Sequence, residues 1–159
     1  MELFKLPKGA CIYYSKKGIL IATLLRDKTG WTTYGHPMVL LPNNAEEDAI
    51  GFHVLQSLNG TRDGITTDEL NKNTQDMFSL VGVSNWDALE KKWESIHIDI
   101  EPGQKLIKII PLHRYETGGY VGSDFVNECE YDASIVGNTI RGLIDGPPRY
   151  VVPHEPSHT

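Results

Sequence analysis

Hydrophobic and polar residues alternate along this chain with two different periods, and the switches between them mark out its elements. Ala10-Cys11-Ile12-Tyr13-Tyr14 and Ile19-Leu20-Ile21-Ala22-Thr23-Leu24-Leu25 are rich in β-branched, aromatic and aliphatic residues, with polar Ser15-Lys16-Lys17-Gly18 between them. Side chains of that kind fit a pleated surface, so the two runs predict a hairpin. After a polar stretch holding Gly30, Gly35 and Pro37, Met38-Val39-Leu40-Leu41 predicts a short strand that Pro42 stops.

The period then lengthens. Asn43 or Asn44 can cap a helix beginning at Glu46, where Glu46-Glu47-Asp48 sets negative charge beside the positive end of the helix dipole. Ile50, Val54, Leu55 and Leu58 form its buried stripe. Asn59-Gly60-Thr61 reads as the turn that ends it, with Gly60 near the C-cap. A cap at Thr66 or Thr67 opens the middle segment, and Ser84 precedes a further helix whose Trp86, Leu89 and Trp93 share one face. After Trp93 the period returns to two, with Ile96, Ile98 and Ile100 alternating against His97, Asp99 and Glu101. Pro102-Gly103 turns the chain into Leu106-Ile107-Lys108-Ile109-Ile110, a second hairpin like the first.

The likeness of the hairpins extends further. A gapless offset of 86 (120 − 34) aligns Leu20 with Leu106, Ile21 with Ile107, Tyr34 with Tyr120 and Gly51 with Gly137, and matches Ile50, Val54 and Leu58 to Val136, Ile140 and Ile144. The expectation is an α+β fold, a single domain over 1–146, built from two pseudo-repeated strand-strand-strand-helix units joined by a helical middle segment. Beyond Gly146-Pro147-Pro148 no periodic apolar pattern remains, and 147–159 reads as a mobile Pro-rich tail.

Composition narrows the function. With 159 residues and 40% apolar content the chain can build one well-filled core. Met1-Glu2-Leu3-Phe4-Lys5 runs into Pro7 and Lys8 without a signal-peptide pattern, and Ile19–Leu25 is far too short for a membrane span, so the expectation is a soluble cytoplasmic protein with no membrane partner. Cys11 and Cys129 stand alone, as in a reducing compartment. A net charge of −6 opposes direct nucleic-acid binding and suits a basic partner.

The six histidines make no metal-ligand spacing, and neither a metal nor a cofactor is expected. Gly118-Gly119-Tyr120-Val121-Gly122 lacks the lysine of a phosphate loop and reads as a turn between strands. No nucleophile elbow is present, so an enzyme is not expected. The alternatives are a small phosphodiester-cleaving enzyme using the loop His113-Arg114-Tyr115-Glu116, and a regulatory or small-molecule binding module. The segment Asp124-Phe125-Val126-Asn127-Glu128-Cys129-Glu130-Tyr131-Asp132 carries no Lys or Arg, and extended backbone would set Glu128, Glu130 and Asp132 on one face. Such an acidic stripe could meet a basic partner or simply keep a sheet edge from pairing. Asp124, Glu128, Glu130 and Asp132 are therefore candidate contacts, with Trp31, Tyr115 and Glu116 as aromatic and acidic positions beside them. Tyr34 and Tyr120 recur in both repeats and are assigned to packing.

Val81-Gly82-Val83-Ser84-Asn85-Trp86, the β pattern around Ile98, Ile110-Pro111-Leu112-His113-Arg114, Gly118-Gly119-Tyr120 and Val136-Gly137 together resemble a proteobacterial family of immunity proteins from contact-dependent growth inhibition (CDI) systems. The resemblance follows element order over roughly the first 146 residues, with Ile50-Gly51 echoing Val136-Gly137. It implies a cytoplasmic protein that binds and inhibits the C-terminal toxin domain of a cognate exported protein, a nuclease of ribonuclease type. It carries no catalytic residue. An acidic protein suits that task, because a nuclease site is basic and steers an acidic ligand towards itself.

Overall fold

The computed structural model describes residues 7–123, 125–147 and 151–152, the last two by backbone alone. Strands β1 (Lys8–Ser15) and β2 (Gly18–Asp27) form the first hairpin, followed by β3 (Thr32–Leu41), α1 (Glu47–Asn59), a short β4 (Arg62–Ile65), α2 (Thr67–Val81) and α3 (Trp86–Lys92). The second half holds β5 (Glu94–Ile100), β6 (Ile107–Tyr115), β7 (Tyr120–Gly122), β8 (Asn127–Cys129), α4 (Ala133–Asp145) and β9 (Val151–Val152). The main sheet runs β3-β2-β1-β5-β6-β7 with antiparallel neighbours, and β8 continues along β6 beyond β7. Two strands absent from the sequence reading, β4 and β9, add in parallel to β2 and β6.

This is the expected α+β domain, and its helices are sorted by face. The alternation in β5 sends Ile96, Ile98 and Ile100 to one side, where they join Ile12, Ile19, Ile21, Ile107 and Ile109 under α1 and α4. On the other side Cys11, Tyr13, Leu20 and Ala22 pack beneath α2, α3 and Trp93. A strand between two helical layers needs apolar residues on both faces, which is why β2 is a run rather than an alternation.

The repeat is real and has an internal two-fold axis. Cys11 pairs with His97, 86 residues on (97 − 11), and Ala10↔Ile98 and Ile12↔Ile96 flank that pair symmetrically. Helices α1 and α4 keep the same offset (133 − 47) and cross through glycine: a Cβ on Gly51 would collide with the Ala133 carbonyl, and one on Gly137 with the Glu47 carbonyl. Each contact is the other read from the opposite helix.

Between these anchors the offset of 86 needs correction. Ile19↔Leu41 matches Ile107↔Cys129, Ile21↔Val39 matches Ile109↔Asn127, and Leu25↔Thr33 matches His113↔Val121, all displaced by 88 (107 − 19). The longer turn from β5 to β6 adds two residues, and the shorter link from β8 to α4 removes them. Tyr120 is thus equivalent to Thr32 and Tyr34 to Gly122, while β7 and β8 together take the place of β3. The shared pattern is Ile-x-Ile-x-x-Leu-x-Arg-x-x-Thr-Gly, from Ile19 to Gly30 and from Ile107 to Gly118.

Helix ends differ in detail from the sequence reading. Thr66 caps α2 as expected, accepting from the Glu69 N–H. Asn85, not Ser84, caps α3 through the Ala88 N–H. Glu46, rather than Asn43 or Asn44, stands at the N-cap of α1 and makes no side-chain cap bond, while Asn43 donates to the Ser15 carbonyl.

Candidate functional site

The turn from β2 to β3 is held by a carboxylate. Asp27 accepts from the Thr29 N–H at 2.9 Å, the Thr29 hydroxyl at 2.6 Å and the Trp31 N–H at 3.0 Å. These bonds keep its carboxyl below the ordinary carboxylate range, the Thr29 hydroxyl contributing most. Gly30 supplies the positive φ of 89° that the turn requires. The result is an indole, Trp31, 72% exposed on a fixed backbone.

Trp31 lines one wall of a cleft of about 500 Å³ whose other residues include Tyr13, Thr33, Tyr34, Thr74, Trp86 and Glu90. Trp86 is set by an edge contact with Phe78, ring centroids 5.1 Å apart, and Thr33 and Thr74 share a hydrogen bond of 2.7 Å. Burial raises the tyrosines Tyr13 and Tyr34 well above the ordinary phenol value, so both stay neutral donors. Burial also raises Glu90, and Asp87 adds repulsion, while a hydrogen bond from the Gly119 N–H pulls the other way. Beneath the cleft Tyr34 meets His97 Nδ1 at 3.4 Å, and His97 Nε2 lies 3.1 Å from Asp99.

Lys91, Arg114, Tyr115 and Glu116 line a second hollow of about 290 Å³. Arg114 donates to the Lys91 carbonyl, and the turn closes with the Tyr115 N–H on the Gly119 carbonyl at 2.9 Å. Tyr120 donates to the Trp93 carbonyl at 2.6 Å, which supports the packing role given to it.

The candidate contacts therefore separate into two hollows. Trp31 lines the cleft with Glu90, and Tyr115 and Glu116 line the other with Lys91. Glu128 is on β8 opposite Lys108, seven residues along β6 from Tyr115, or roughly 23 Å at strand rise. The strand that would carry the acidic stripe stops short: β8 ends at Cys129, Glu130 is exposed beyond it, and Asp132, also exposed, caps α4 by accepting from the Ile135 N–H at 3.0 Å. Asp132 keeps an extended backbone, φ −144° and ψ 125°, and from it satisfies an otherwise unpaired N–H of the first helical turn. Asp124 and most of the 147–159 segment lie outside the described residues. His113 is a strand residue opposite Val121 rather than a loop residue, so alternation directs it and Arg114 to opposite faces.

Trp86 and Glu90 were legible only as helix residues, though their i,i+4 spacing puts both on one face. Among the described residues no group of three or more His, Cys, Asp or Glu could hold a metal ion, and no helix is long and apolar enough to cross a membrane.

No family model and no curated protein matches the chain. Among solved structures, the protein of unknown function NMB0488 from Neisseria meningitidis is similar at a TM-score of 0.68 and 17% identity, over 88% of this chain and 96% of that one. A chain of the CdiA-CT/CdiI toxin and immunity complex from Yersinia pseudotuberculosis is similar at a TM-score of 0.66 and 12% identity, over the same shares. The fold described above is thus shared nearly end to end with a component of a toxin and immunity complex.

Proposed function

We propose that this chain is an immunity protein that binds and inhibits a toxin domain in the cytoplasm during contact-dependent growth inhibition, and that the toxin is a basic nuclease of ribonuclease type. The observation that carries the reading is the shared fold with a chain of the CdiA-CT/CdiI complex over 88% of the sequence. Charge favours the immunity side of such a pair, since a nuclease must hold phosphates and this chain is net −6. The toxin-facing surface is the one around α3, carrying Trp31, Tyr115 and Glu116. An exposed indole on a fixed turn is the kind of anchor that dominates interfaces. Glu128 and Glu130 form an acidic rim that speeds encounter without supplying most of the affinity.

The test is co-expression with the C-terminal domain encoded by the reading frame immediately upstream. A tight one-to-one complex that abolishes RNA cleavage by that domain supports the reading. A chain that neither binds the domain nor changes its activity refutes it.

A further inference from the structure

The cleft beside α3 has aromatic walls and a carboxylate without a counter-charge. Its rings are Trp31, Trp86, Tyr13 and Tyr34, and its acid is Glu90. Lys91, one residue away, is committed to Asp87 at 3.0 Å. Among the described residues, no Lys, Arg or His nitrogen reaches the Glu90 carboxylate within 4.0 Å. Its one described stabilising contact is the Gly119 N–H, a single neutral donor.

An apolar plug in this cleft would strip water from Glu90 and leave the charge unmatched, which costs free energy unless a cation arrives with the plug. An occupant that brings a cation gains twice, from the carboxylate and from the indole faces. We propose that the cleft receives an arginine side chain of a protein partner, its guanidinium stacked against the indoles and its charge met by Glu90. Arginine fits better than lysine because its planar fork stacks on rings and carries five donors, for which the cleft offers the carboxylate and the hydroxyls of Thr33 and Thr74. Trp31 is already positioned for this by the Asp27 hydrogen bonds, so little ordering is required on binding.

That the arginine belongs to a toxin rests on the immunity reading, whereas the cation specificity of the cleft does not. The experiment uses the purified full chain and two probes, N-acetyl-arginine amide and its neutral isostere N-acetyl-citrulline amide, followed by the indole N–H resonances of the three tryptophans. The arginine probe shifts Trp31 and Trp86 while the buried Trp93 stays still, and the citrulline probe leaves all three in place. Glu90→Gln and Trp31→Ala each weaken the arginine response about tenfold, the equivalent of one desolvated cation contact. Equal responses to both probes, or an unchanged response in Glu90→Gln, overturn the proposal. Loss of toxin binding with this response intact would overturn the immunity reading instead.

Discussion

The turn Asp27–Trp31 in the first repeat and the turn Tyr115–Gly119 in the second have one backbone and opposite endings. In the first, Gly30 N–H bonds to the Asp27 carbonyl and Asp27 N–H to the Trp31 carbonyl; in the second, Gly118 bonds to Tyr115 and Tyr115 to Gly119 in the same way. Both use a glycine at positive φ, 89° and 102°. Yet the first ends in an exposed tryptophan fixed by a carboxylate, and the second in Gly119, whose N–H turns to Glu90. The sheet around them differs likewise. In the first repeat α2 covers the outer face over Leu20, which is fully buried; the equivalent position in the second repeat is half-buried Lys108. Duplication supplies the scaffold, and the α2–α3 segment breaks its symmetry where the cleft forms.

The largest expected effect tests that covering. Leu20→Ala lowers the unfolding free energy by roughly 2–5 kcal/mol, because it opens a cavity under α2. Lys108→Ala at the equivalent site stays within about 0.5 kcal/mol. Urea unfolding of both variants measures the difference, and equal losses would mean the two faces are equally closed.

The helix crossing should behave in the opposite manner, with both repeats responding alike. Gly51→Ala and Gly137→Ala each drive a methyl into the facing carbonyl and should cost about 2–3 kcal/mol in the same unfolding assay. Their double variant should cost less than the sum, since one separation of the helices accommodates both methyls.

The helix starts give a smaller contrast. Asp132→Ala removes a cap bond and should cost about 1 kcal/mol, while Glu46→Ala at the equivalent position of α1 removes no cap bond and should cost far less.

The smallest effect is local and depends on pH. Asp27 is held below its ordinary value of 3.8, so its turn bonds are fully present above that pH and are lost as pH falls through the lower folded value. Acid should therefore shift the Thr29 and Trp31 amide resonances as Asp27 protonates, whereas Gly119, whose N–H meets the raised Glu90 carboxyl, should move at higher pH. Movement of both turns together would show that global unfolding had come first.

Much of this was written in the sequence. The two hairpins, the apolar stripe of α1, the cap at Thr66 and the Gly51/Gly137 equivalence followed from periodicity and cap chemistry. The strand offset did not, because a gapless comparison cannot see a two-residue gain repaid one hairpin later, although Ile-x-Ile-x-x-Leu-x-Arg-x-x-Thr-Gly stands in both halves. The acidic stripe failed for a local reason: β8 ends at Cys129, and Asp132 belongs to the start of α4, which it caps. The cleft was illegible because Trp31, Thr74 and Glu90 lie on three elements that only the placement of α2 and α3 brings together.

The proposed immunity role requires that a basic toxin domain dock on the surface around α3. Calorimetric titration of the upstream-encoded C-terminal domain into wild type, Trp31→Ala and Glu128→Lys/Glu130→Lys, at low and at moderate salt, measures that docking. The expected result is a one-to-one complex that Trp31→Ala weakens by at least about tenfold at both salts, in line with an interface anchor. The rim variant should lose affinity mainly at low salt. Unaltered affinity in Trp31→Ala, or no binding by the wild type, would contradict it.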